Sequence, residues 1–422
     1  MIATIYDSGF EEAHDTYNAL SVDRDGGVWY VLSSTSPDQG GKLFRLHPGE
    51  SQPREVVDLT EACGEAGWNS YPQGKSHSRF FEWDGALWSS THAGYYETVD
   101  GMERMPKTPM EGYRHYPGGH FLRIDPATEC VRSVGVAPHG EGILAMTQDP
   151  VRGTLYGISW PTGHLLRLDP GDGAVEDLGW VDAHGEAGIP GETYRPLCRA
   201  LLVEPDSGDL WYSTADGTLW TLKQGAEKPE ASRQVSMRRD YFGSFDPTRP
   251  GSMAWNWRQV VRDANRHCAW GTHGNSGYLF RFDPKKETLE LIERITSDAS
   301  RRIGMTDQFS YGYLGLELGP DGKTLYHLTG SPLFDDKGQP VGGEAIAKGG
   351  ARGPEELHLV TWDIESAERT DHGPIRLESG ERPSHVNSLA ISSDGWIYSM
   401  SRLERNGRVV QDLIRFRDPL AG

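Results

Sequence analysis

An all-β fold, a seven-bladed β-propeller of four-stranded antiparallel blades, is what this 422-residue sequence predicts. Three observations carry it. Glycine reaches 52 residues and aromatic side chains 10% of the chain, the profile of many short strands joined by glycine turns. No long stretch has helical periodicity. One unit recurs seven times: an apolar strand, an Asp-Gly type of turn, an aromatic-rich strand, and a strand ending near Arg-Leu-Asp. A unit of this size cannot bury both of its faces alone, so the copies must stack.

The units follow one another along the whole chain. The first starts at Asn18 and continues with GKLFRLHPG from Gly41; the second is HSRFFEWDGALWSSTH from His77, with its third strand from Gly119. The third starts at Glu141 and the fourth at Arg199. The fifth, from Trp257, keeps the pattern without the glycine turn. The sixth runs from Tyr313 and resumes at Glu356 after a long insert; the seventh runs from Val386 and closes with DLIRFRDP from Asp412. Fourth strands look like EVVDLT and VEDLG, and the N-terminal ATIYDSG has the same look. Ala3 to Ser8 is therefore expected to be the outer strand of the last blade, which removes two open sheet edges. Residues 1–422 then form a single propeller domain.

A net charge of −19 counts against nucleic acid or an anionic membrane as partner. Cys63, Cys130, Cys198 and Cys268 are scattered, with no CxxC spacing, and read as isolated thiols. No secretory leader and no run of transmembrane length is visible, so a cytoplasmic location is expected.

Long insertions at Tyr95 to Gly118, Trp180 to Leu197, Met237 to Asn256, Ala299 to Gly312 and Ser331 to Pro354 mostly open onto one rim. On that rim the entry of each first strand delivers one residue to the axis. These are Asn18, His77, His139 with Glu141, Arg199, Trp257 with Arg258, Tyr311 with Tyr313, and His385 with Asn387. Second-strand exits add His92, Trp160 and His273; third-strand entries add His120 and His164. His77 and His92 flank one hairpin, which returns its ends to the same edge and makes the two imidazoles a candidate acid/base pair.

His267, Cys268 and His273 with Cys198 have zinc-compatible ligand types, but strand alternation points His267 and Cys268 in opposite directions. A second set with ligand types suited to a catalytic metal is His77, His92 and His120. No required cofactor is expected, and no phosphate loop, G-x-S-x-G elbow or CxxC is present.

The run H-S-R-F…D-G-x-L-W…T-H-x-G-Y-Y…Y-P-G-G-H-F…D-P from His77 onward resembles the seven-bladed propeller polysaccharide lyases, the ulvan lyases and rhamnose-glucuronate lyases. The resemblance implies a carbon-oxygen lyase that cleaves beside a uronic acid by β-elimination, with a uronate-containing oligo- or polysaccharide as partner. It implies catalytic roles for His77 and His92 in proton transfer, His139 at the equivalent axial position, and Arg199 as carboxylate clamp. Substrate contacts would come from His120, Trp160, Tyr194, Tyr241, Trp257, Arg258, Tyr313 and His385. The family tyrosine has no secure match, with Tyr95, Tyr194, Tyr241 and Tyr313 all available. Two other readings stay open: a glycoside hydrolase on the same scaffold, or a non-catalytic propeller that binds a glycan or a protein. Hydrolysis normally uses two carboxylates, and Glu141 is the one obvious axial carboxylate.

Overall fold

A computed structural model describes the chain except residues 100–101, 274–275, 303–314, 335–336, 338–339, 342–354, 384–387 and 422. Seven antiparallel sheets arranged in a ring make a seven-bladed β-propeller. The first blade is Leu20–Val22, Val28–Leu32, Lys42–Leu46 and Arg54–Asp58. In the second, Phe81–Trp83 and Ala86–Ser90 form the predicted hairpin, and His120–Ile124 and Val131–Val136 complete the sheet. The hairpin turns at Asp84 and Gly85, both with positive φ (48° and 70°), the geometry that matches strand twist in a two-residue loop. The third blade spans Gly142–Gln148 to Val175–Trp180, the fourth Leu202–Val203 to Glu230–Ser236, and the fifth Trp257–Asp263 to Thr288–Arg294. In the sixth, Leu316–Leu318, Thr324–Phe334, Glu355–Asp363 and Glu368–Pro374 pair in order.

The last blade contains both ends of the chain. Ala390–Ile391, Trp396–Arg405 and Arg408–Arg417 are followed outward by Ile2–Ile5, which pairs antiparallel in the register Ala3 with Phe416 and Ile5 with Ile414. This strand is shorter than the expected Ala3 to Ser8 and starts one residue earlier. Its end is set by Ser8, whose N–H and hydroxyl both donate to the Asp412 carboxylate (2.8 and 2.7 Å) and draw the chain out of strand geometry. A two-residue strand, Arg376–Leu377, adds in parallel outside it.

The core lies between blades. One apolar cluster joins the first blade to the second, and another joins the second to the third. Further clusters run through the third, fourth and fifth blades, and then from the fifth to the sixth. Two more link the sixth to the seventh and the seventh back to the first. Each blade thus buries its aromatic face only against a neighbour, the reason seven copies are needed. Contacts also cross the axis. Arg79 of the second blade pairs with Glu317 of the sixth and donates to the Leu316 carbonyl (3.0 Å), and Gln259 of the fifth donates to Asn18 beside the first (3.2 Å). No helix among the described residues is long and apolar enough to cross a membrane.

Candidate functional site

First strands begin, and second strands end, on the same face of the ring, and there a cavity of about 320 Å³ opens on the axis. It is built on the second-blade hairpin. Beyond the regular strands, Lys75 and His92 exchange backbone hydrogen bonds (2.9 and 2.7 Å), which extends the hairpin and turns both side chains toward the axis. His77 and His92 stand with ring centroids 4.7 Å apart. Tyr17 stacks on His77 at 5.4 Å, and Trp160 lies 5.5 Å from His92. Gly142 makes this possible, since a Cβ there would lie 2.2 Å from His92 Nδ1.

Burial pushes both imidazoles well below their usual pKa; for His77 the other ring adds to this, and for both so do Lys75 and Arg199. Both are therefore neutral at neutral pH. Tyr96 caps the pair. Its hydroxyl donates to the Ala93 carbonyl, and burial, reinforced by Glu103, pushes its phenol well above the ordinary value.

Opposite the hairpin stands Arg199, with Glu186 beside it. The Glu186 carboxylate accepts from Arg199 (2.5 Å), from the Trp160 indole (2.9 Å) and from the Leu197 N–H (3.2 Å). Arg199, expected to clamp a ligand carboxylate, is thus bonded to a carboxylate of its own chain. Tyr194 and Arg258, both buried, complete that wall, and Arg402 of the last blade enters paired with Asp15 (2.7 Å). A small hairpin, Glu97–Val99 with Met102–Arg104, leans over the opening; Arg104 donates to the Gly188 carbonyl (3.3 Å) and Glu103 faces the cavity.

Of the residues singled out from the sequence, Asn18, His77, His92, Trp160, Tyr194, Arg199 and Arg258 line this cavity. The other described ones do not. His139 sits in a short 3-10 turn with φ of 64°, which swings it outward onto Asp177 (2.9 Å). His120 is buried away from the axis between Glu65 (2.7 Å) and Ser133 (2.6 Å). Trp257 is wholly buried between blades, its indole donating to the Ala200 carbonyl (2.8 Å). Tyr241 is exposed and meets Tyr278 edge-on. Glu141 is held inside by Ser159 and Thr162. Tyr311, Tyr313, His385 and Asn387 lie outside the described residues, as do most of the last two insertions. Sequence reasoning missed Lys75, Tyr96, Glu103, Glu186, Asp15 and Arg402. For Lys75 a signal existed, because it precedes His77 by two residues and strand side chains repeat with that period.

The zinc-type residues do not assemble. Cys268 and His273 are buried, His267 is exposed, and the Cys198 thiol donates to the Ala200 carbonyl. The one group of ligand types among the described residues is His139, His164 and Asp177. There the Trp180 indole donates to His164 Nε2 (2.7 Å), so Nδ1 carries the proton and donates to Asp177 (2.9 Å). Both nitrogens of His164 are occupied, and no metal-binding site is evident among the described residues.

No protein-family model matches the chain, and no curated protein matches it. Solved structures do. A chain of a mitotic checkpoint complex crystal structure aligns over 99% of this chain and 91% of its own length at 10% identity, with a TM-score of 0.52. Sqt1 of Saccharomyces cerevisiae aligns over 97% and 87% at 11% identity, with a TM-score of 0.49. At these identities the likeness is one of fold. It corrects two expectations from the sequence, that the chain is a carbon-oxygen lyase and that its partner is a uronate-containing glycan. The similar chain comes from a mitotic checkpoint complex and is not described as a lyase or as glycan-bound. The site departs from the expected machinery in the same direction, with Arg199 occupied by Glu186 and His139 outside the cavity.

Proposed function

We propose that this chain is a non-catalytic binding propeller that docks another protein on the face carrying the axial cavity. The observation that carries the reading is the distribution of exposed apolar side chains. Trp68, Ile189 and Tyr241, on connections, and Trp180, at the end of its strand, are each at least half exposed and lie on that face. Val99, Val136 and Val409 join them, against Ile2, Val151 and Leu420 on the other side. Aromatic groups gathered on one face, around a partly polar recess, are the composition of an interface centre. The chain similar to it from the mitotic checkpoint complex works within a multiprotein assembly, which fits the same reading.

The test is to reconstitute the chain with a purified partner recovered from its own cells. A Trp180→Ser/Tyr241→Ser double variant is then compared with Val151→Ser on the opposite face. At least a tenfold weaker Kd for the double variant and an unchanged one for Val151→Ser are expected. Equal affinity for all three proteins would remove the reading.

A further inference from the structure

Among the four cations that line the cavity, Lys75 is set apart. Arg199 is held by Glu186 and Arg402 by Asp15. Lys75 is only 7% exposed, its backbone is fixed to His92 on both sides, and among the described residues no hydrogen bond or ion pair reaches its ammonium. The Tyr96 ring faces it instead, 4.7 Å from nitrogen to centroid. An ammonium has three donors, and keeping it buried on an aromatic face alone is costly. Burial pushes its pKa below the ordinary lysine value, while Glu103 and Asp15 pull it back. Those two carboxylates favour the charged form of Lys75 without forming an ion pair with it.

We propose that Lys75 is the floor of a socket for one carboxylate, supplied by a glutamate or aspartate side chain of the docked protein. This rests on the docking reading above. The charge count sets the valence. Among the described lysines, arginines and acids of the lining, Lys75, Arg199, Arg258 and Arg402 oppose Asp15, Glu103 and Glu186, an excess of one positive charge, and the neutral His77 and His92 add none. One carboxylate balances the recess, whereas a phosphate dianion would leave it negative. The charge is also complementary in the wider sense: a chain of net charge −19 repels acidic segments everywhere except where its cations are gathered. The volume, about 320 Å³, equals that of about ten waters, enough for an acidic side chain with part of its neighbours.

The probe is a set of blocked tripeptides measured by calorimetry against the full chain. Acetyl-Ala-Glu-Ala-amide is expected to bind, acetyl-Ala-Gln-Ala-amide at least tenfold more weakly, and inorganic phosphate not to displace the first. Lys75→Met, which keeps the length of the side chain and removes the buried charge, is expected to bind the Glu peptide at least tenfold more weakly while its unfolding midpoint stays level or rises. Equal binding of Glu and Gln peptides, unchanged affinity in Lys75→Met, displacement by phosphate, or tighter binding of acetyl-Ala-Ala-Ala with a free carboxyl terminus would each overturn the socket. The two readings fail separately. A Glu peptide that does not bind while the Trp180→Ser/Tyr241→Ser variant still weakens the protein complex ends the socket alone. A Glu peptide that binds while that variant has no effect ends the docking face alone.

Discussion

Two pairs of histidines in this molecule have the same spacing and opposite surroundings. His77 and His92 stand 4.7 Å apart, and so do His139 and His164. The first pair is enclosed with Lys75 and Arg199 nearby and, among the described residues, no carboxylate bonded to either ring; the second is nearer the surface, with Asp177 bridging one nitrogen of each ring. Burial would raise Asp177, but the hydrogen bonds from His139, Gly179 and His164 hold it below the ordinary carboxylate value. Proximity of two imidazoles therefore says little by itself. What surrounds them decides whether the pair is a fixed neutral wall or a solvated charge cluster.

The sharpest break between the two regions lies in their carboxylates. Glu186 is buried and takes hydrogen bonds from Arg199, Trp160 and Leu197, so Glu186→Ala strands a cation and two donors and is expected to cost about 3–5 kcal/mol in chemical denaturation. The enclosed pair is next tested by volume. Gly142→Ala drives a methyl into the His92 ring and is expected to cost up to about 3 kcal/mol, with no counterpart at the open pair.

Acid separates the regions again. A histidine whose folded pKa lies below its unfolded value leaves the unfolded chain holding more protons, so stability is full above about pH 6.5 and falls as pH drops below it. His77 and His92 act in this direction, and so does His273, stacked on Phe242 and lowered by burial to about 4. For His273 alone the loss between pH 7 and pH 5 is about 2 kcal/mol, which His273→Gln should remove in paired denaturation curves. The smallest effect belongs to Asp177→Ala, at most about 1 kcal/mol because Asp177 and its partner His139 are open to water. A larger loss there would erase the contrast.

The blades were legible because each repeats a local rule: apolar alternation, then a turn residue that tolerates positive φ, then an aromatic strand. The same rule located the axial residues wherever a strand starts cleanly. It placed His77, His92 and Arg199 together, and Arg258 beside them. It failed where one residue of backbone irregularity intervenes. At His139 the positive φ reverses the side chain, and at Trp257 strand alternation assigns the indole to the seam between blades and leaves the axis to Arg258. Glu186 and Asp15 were not legible at all, because they reach the cavity from irregular connections whose path depends on packing. Lys75 was within reach of the alternation argument, and only its lack of an obvious chemical role hid it.

The pairing of residues 3–5 with residues 414–416 has a consequence for how the chain comes to be folded. The strand Ile2–Ile5 has no sheet to join until Arg408–Arg417, far along the chain, has been made. Six blades can assemble as they emerge, each on its predecessor, but the ring stays open at one seam for the whole of synthesis. Its closing contact joins opposite ends of the sequence, the slowest kind to form by chance encounter. Until then the outer edge of Arg408–Arg417 and the facing sheets of the first and seventh blades are exposed together, which makes the unclosed ring, rather than the folded one, the form most in need of protection from aggregation.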